Sequence, residues 1–158
     1  MTSKPSHQSS VTLTQVMGPG HANIMGNVHG GLIMKLCDEA GGMTAAKHAG
    51  RPSVTVSVDS MSFHSPVHIG NLLTVKAEIT WVGRTSMETR VTVTAEDVLT
   101  GSVTHTNTAY FVYVALDENG RPITVPHLLL ETEKDQLRFE RGAARQDHRL
   151  RMRQQETT

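Results

Sequence analysis

From Val54 to Asp117 the chain alternates between apolar and polar positions, with short breaks of turn-forming residues. Leu73, Val75, Ala77, Ile79 and Trp81 are set against Thr74, Lys76, Glu78 and Thr80. Beyond the "GRT" turn, Met87, Thr89, Val91, Val93 and Ala95 alternate with Glu88, Arg90, Thr92, Thr94 and Glu96. "VTVSVDSMSFH" before these runs and "SVTHTNTAYFVYVALD" after them read as further strands, and "VTLTQVM" predicts another near the start. Period-two patterns joined by short turns predict antiparallel neighbours.

One stretch breaks this rhythm. From about His29 to His48 the period is helical, ended by Gly50 and Pro52, and the loop "GPGHANIMGN" leads into it. Leu32, Leu36, Ala40 and Met43 form the main apolar stripe, widened by Ile33 and Cys37, with Lys35 and Glu39 on a polar edge. One strand, one long helix and a meander of strands is an α+β layout. The helix is the obvious cover for the sheet's apolar face, so an antiparallel sheet wrapped around a central helix is expected.

Asp38 fits neither the stripe nor the polar edge. Its neighbours one turn away are Met34, Lys35, Gly41 and Gly42, with Ala45 further on, and such small or apolar residues face packed backbone or a ligand. A solvated aspartate beside Lys35 is one reading. A working carboxylate is the other, because an unpaired charge in such surroundings carries a desolvation cost. Gly30 and Gly31 stand at the helix N-terminus, where free N–H groups favour a negative oxygen. A carboxylate base with an oxyanion donor at the helix start suits attack on a carbonyl, though a Gly-Gly pair also serves as a tight packing turn.

Composition narrows the classes. The 158 residues suit one domain, and 15 basic residues balance 15 acidic ones, which offers no general attraction for nucleic acid or membrane. The single cysteine, Cys37, excludes an intramolecular disulfide and a cysteine-based zinc cluster. No apolar run approaches the ~20 residues of a membrane span. Residues 1–10 are polar, lack the apolar stretch of a signal peptide, and are expected to be disordered in a cytoplasmic protein. There is no serine-hydrolase elbow and no phosphate loop. His64 and His68 are separated by Pro66 in a turn, so they do not form a helical metal pair and no metal is expected.

"ANIMGNVHGGLIMKLCDEAGG", "VTVSVDSMSFHSPVHIGN", "GRTSMET", "AYFVYVALDENGRPITVP" and "ETEKDQLRFERG" together resemble the hotdog-fold acyl-CoA thioesterases, in particular the cytosolic acyl-CoA hydrolase group. The likeness runs through nearly the whole chain in order. It implies a hotdog thioesterase domain over residues 11–127 that hydrolyses fatty acyl-CoA of medium to long chain without a cofactor. It also implies a catalytic pair, Asn23 in the loop and Asp38 as general base or nucleophile, with Asn27 and His29 supporting the loop. Two hotdogs joined edge to edge, with Asn23 of one copy meeting Asp38 of the other, and three such dimers in a hexamer are further implications. The alternatives are a hotdog hydratase or dehydratase, and an acyl-CoA-binding regulator without turnover.

Residues 128–158 form a basic helical tail in which Arg138, Arg141, Arg145 and Arg149 share one face. A solvated helix is one reading, and contact with coenzyme A phosphates, Arg145 above all, is the other. Arg84, Thr85 and Ser86 in the "GRTSMET" turn are second phosphate candidates, and His64 is expected near the substrate. Nucleic acid is disfavoured because no aromatic platform accompanies the charge.

Overall fold

The alternating segments become one five-stranded antiparallel sheet in the computed structural model, which describes residues 2–157. In chain order the elements are β1 (Ser3–Pro5), β2 (Val11–Val16), α1 (Gly30–Ala49), β3 (Ser53–Val58), β4 (Leu72–Val82), β5 (Ser86–Asp97), β6 (Ser102–Ala115), β7 (His127–Leu129) and α2 (Glu133–Glu156). The sheet runs β2-β4-β5-β6-β3. Alternation sends Leu73, Val75, Ala77 and Ile79 of β4, Met87, Val91 and Val93 of β5, and Phe111 and Tyr113 of β6 into one buried core. α1 lies against that face and makes this the hotdog arrangement of sheet around helix.

The buried side of α1 is Ile33, Leu36, Cys37, Ala40, Gly41, Thr44, Ala45 and His48. This corrects the expected stripe, for Met43 is 59% exposed. At 100° per residue the buried arc centres on Cys37 and Thr44, which leaves Met43 at its rim. The small Gly41 and Ala45 allow that rotation, and the chain's own sheet covers them. The flank of α1 left uncovered or half-covered by the sheet includes Met34, Asp38 and Gly42. At the C-terminal end of α1, Gly50 closes the helix at φ 67°, a left-handed conformation that favours glycine.

The polar lead is ordered where disorder is expected. β1 pairs in parallel with β7, Ser3 opposite His127 and Pro5 opposite Leu129. Ser6 donates from its hydroxyl to the Ile79 carbonyl at 2.7 Å. A three-residue strand held by main-chain bonds leaves no hydrophobic period to read. Met1 and Thr158, the outer ends of the expected lead and tail, lie outside the described residues.

α2 starts at a reciprocal cap: the Thr132 hydroxyl accepts from the Asp135 N–H at 3.1 Å, and the Asp135 carboxylate accepts from the Thr132 N–H at 3.2 Å. The helix packs on the opposite face of the sheet, where Glu78 and Glu88 point. It approaches at Gly142, where a Cβ would stand 2.6 Å from Trp81 Cβ and 2.9 Å from Glu88 Oε1. Among the described residues no helix is long and apolar enough to cross a membrane.

Candidate active site around Asp38

The loop before α1 is closed by Asn23. Its Oδ1 accepts from the Met25 N–H at 2.9 Å and the Asn27 N–H at 3.2 Å, and its own N–H donates to the Asn27 carbonyl at 2.7 Å. Asn27 also bridges to His68, and the Val28 N–H donates to the Val67 carbonyl, so the loop is pinned to the segment before β4. Ile24 and Met25 at its tip are fully and largely exposed. His29 caps α1, its Nδ1 accepting from the Gly31 N–H at 3.1 Å. The Gly31 amide is thus engaged by the cap, and serving an oxyanion would require it to give up that bond.

Asp38 lies on the exposed flank of α1. Its Oδ1 accepts from the Thr55 hydroxyl at 2.7 Å and from the Tyr113 hydroxyl at 2.9 Å. The Tyr113 hydroxyl is also 3.0 Å from the main-chain oxygen of Asp38. Thr55 comes from the edge strand β3 and Tyr113 from its neighbour β6, where the two residues stand opposite each other. A cleft of about 650 Å³ opens beside the carboxylate, lined by Leu13, Met43, Ala46, Pro52 and Tyr113 among others. Burial, followed by the Asp38 charge, pushes the Tyr113 hydroxyl above its usual range, so it is a proton donor at neutral pH. Burial and then Asp38 push the Cys37 thiol up to about 12, which leaves it inert as a nucleophile.

Sequence reasoning passed over Thr55 and Tyr113. Tyr113 offers a signal, because it falls on the core face of β6 and a buried tyrosine hydroxyl needs a partner. Thr55 offers none, since its meeting with Asp38 depends on how α1 crosses the sheet. Asn23 is not among the residues lining the cleft of its own chain.

The other candidates are dispersed. Thr85 accepts a main-chain bond from Ala115, the residue opposite Ser53 at the cleft's rim, so the Arg84–Ser86 turn adjoins that end of the cleft. Arg84 is exposed. His64 is exposed and its N–H donates to the Thr106 carbonyl at 3.1 Å. Arg145 has a different partner from the one expected. Its guanidinium is held by Glu88 and lies 3.7 Å over the Tyr110 ring. Arg138 likewise pairs with Glu78 at 2.8 Å, and Arg149 with Asp59 at 2.8 Å. Among the described residues no three His, Cys, Asp or Glu side chains are grouped to hold a metal ion.

A family model described as the thioesterase superfamily matches residues 25–102, the stretch that holds α1 and Asp38. The fold superposes on a crystal structure of an apo-hexameric acyl-CoA thioesterase with a TM-score of 0.92, at 35% identity, over 96% of this chain and 97% of that one. The chain belongs to the thioesterase superfamily. It is 39% identical over 139 residues to the rat cytosolic acyl coenzyme A thioester hydrolase, which covers 87% of this chain but only 36% of that protein. The chain thus spans about a third of the length of its mammalian relative. It also superposes on the acyl-CoA hydrolase of Staphylococcus aureus, solved with butyryl coenzyme A, coenzyme A and coenzyme A disulfide, with a TM-score of 0.90 and 29% identity over 98% of this chain and 94% of that one. That hydrolase was also solved with an aspartate, an asparagine or a threonine replaced by alanine. Its asparagine precedes the aspartate by 15 residues and its threonine follows by 17, the spacings of Asn23, Asp38 and Thr55 in this chain.

Proposed function

We propose that this chain hydrolyses acyl-CoA thioesters, yielding a carboxylate and free coenzyme A. The observation that carries the reading is Asp38, a carboxylate fixed by two hydroxyls at the side of an apolar-lined cleft, in a chain of this superfamily. The acyl chain, of medium to long length, occupies the cleft. Asp38 takes a proton from water as the water attacks the thioester carbon, or attacks that carbon itself to form an acyl–aspartyl anhydride that water then cleaves, and the coenzyme A thiolate leaves. Asn23 orients the water or polarises the carbonyl. The asparagine, aspartate and threonine positions altered in the Staphylococcus hydrolase support this choice of residues through their shared spacing. The exposed Arg84, with Thr85, Ser86 and His64, holds the coenzyme A moiety. No histidine lines the cleft beside Asp38, which disfavours a hydratase or dehydratase with a His–carboxylate pair.

The active unit is a pair of hotdogs in the cytoplasm, assembled as a hexamer like the apo thioesterase it superposes on. β3 supports the pairing: it is a sheet edge whose Val54, Val56 and Val58 are each nearly half exposed, and an open apolar edge is a liability that a second copy relieves. A partner's loop then brings its Asn23 to this chain's Asp38. The test is to incubate purified protein with palmitoyl-CoA and a thiol reagent. Thiol release above the spontaneous rate is expected, and binding without release would overturn the reading in favour of a regulator.

A further inference from the structure

The two hydrogen bonds to Asp38 share one oxygen. Thr55 and Tyr113 both donate to Oδ1, and among the described residues no donor reaches Oδ2. The terminal torsion of an aspartate is broad and nearly two-fold, so an unrestrained carboxylate presents either oxygen. Two donors from adjacent strands of one sheet remove that freedom. Tyr113 is itself fixed, for it is 1% exposed and its ring packs edge-on to Phe111 at 6.4 Å between centroids.

A glycine makes this contact possible. A Cβ at Gly41 would lie 2.5 Å from the Tyr113 hydroxyl and 2.9 Å from the Thr89 hydroxyl, closer than real Cβ contacts come. Any larger residue at 41 would push the phenol away from α1 and from Asp38. Gly41 has ordinary helical geometry, so its lack of a side chain serves this approach rather than a turn.

We propose that Tyr113, admitted by Gly41 and assisted by Thr55, positions Asp38 by holding Oδ1, so that Oδ2 is the oxygen that acts on water or on the thioester carbon. This rests on Asp38 being the reacting carboxylate. In this scheme the Tyr113 hydroxyl acts on the reaction only through Asp38, and Tyr113 is a positioning residue. With Oδ2 as base, the water O–H bond breaks, its proton passes to Oδ2, and the hydroxyl oxygen bonds to the thioester carbon. The C–S bond then breaks, and coenzyme A leaves with the proton. Tyr113 and Thr55 keep their own protons throughout.

The experiment is kinetic. Tyr113→Phe keeps the ring and removes the donor. kcat should fall on the order of tenfold, the scale of one lost hydrogen bond to a charged group, while KM for palmitoyl-CoA changes less than about twofold. In an Asp38→Asn background the same change should cost nothing further, because the oxygen it positions no longer reacts. Gly41→Ala, which keeps the phenol but displaces it, should give the same kcat signature. Thr55→Val should lose rate and Thr55→Ser should keep it. Unchanged kcat in Tyr113→Phe, or a full tenfold loss in the Asp38→Asn background as well, would overturn the proposal while leaving Asp38 in place. Wild-type turnover by Asp38→Asn alone would instead remove the reading beneath it. Should Tyr113→Phe not fold, the Thr55 pair and Gly41→Ala decide the matter.

Discussion

Arg145 grips the fully buried Glu88 carboxylate with two N–H groups, Nε to Oε2 at 3.0 Å and Nη2 to Oε1 at 2.8 Å. Thr80 donates to the same Oε1 at 2.6 Å, and Arg149 spans Glu88 and Asp59. Every oxygen of the buried carboxylate is satisfied, which is the condition under which a buried ion pair persists. Glu88→Ala would strand the Arg145 guanidinium against the sheet and leave Arg149 to Asp59 and Gln146. Its expected cost is about 3–5 kcal/mol, the range for breaking a buried pair by removing one partner, read from urea denaturation. Replacing Glu88 and Arg145 together by methionine should cost less than the sum of the single changes. Additive losses would show that the pair is not coupled.

The same carboxylate gives the fold an acid limit. Burial alone would raise the Glu88 carboxyl, but hydrogen bonds from Arg145, Thr80 and Arg149 outweigh it and hold the group below its ordinary value of 4.5. A depressed carboxyl contributes stability that is complete above the ordinary value and is lost as pH falls through the folded one. Unfolding free energy should therefore drop more steeply below about pH 4.5 in the wild type than in Glu88→Gln. Parallel curves would exclude Glu88 as the source.

Asp38→Asn keeps the side chain's shape and its hydrogen-bonding oxygen but removes its basicity. Turnover of palmitoyl-CoA should fall by at least ~100-fold, the usual scale for a general base, with coenzyme A binding unchanged by calorimetry. Near wild-type turnover would take Asp38 out of the mechanism.

A site shared between copies predicts complementation. Asn23→Ala and Asp38→Ala proteins, each inactive alone, should regain part of the activity when mixed under conditions that exchange subunits. The mixed dimer has one site damaged twice and one intact. Verified exchange without recovered activity would place both residues within one chain.

The sheet was legible because its strands follow a two-residue period, and β4 and β5 fall where Leu73–Val82 and Met87–Glu96 predict them. A bulge between Ile79 and Trp81, however, turns Trp81 from the expected core face to the α2 face. The helix was legible in extent but not in rotation: Met43 looks like core until Gly41 and Ala45 let Tyr113 and β6 pull the buried arc past it. β1 was invisible, since a three-residue strand carries no pattern. The arginines of α2 advertised a charged face, but which anions they meet depends on Glu78, Glu88 and Asp59, whose placement against α2 is set only by folding. Asp38 stood out because it broke the helical pattern. Its partners Thr55 and Tyr113 lie 17 and 75 residues away, and no local rule connects them.

Gly142 works as a notch in α2. Only a residue without a side chain fits over Trp81 and Glu88, so α2 has one seat on the sheet. Sliding by a turn would bring Phe139 or Gln146 to that point and would clash, while each arginine would be carried past its carboxylate. The ion pairs supply the grip, but the glycine supplies the indexing, and a single methyl group at 142 would unseat them together.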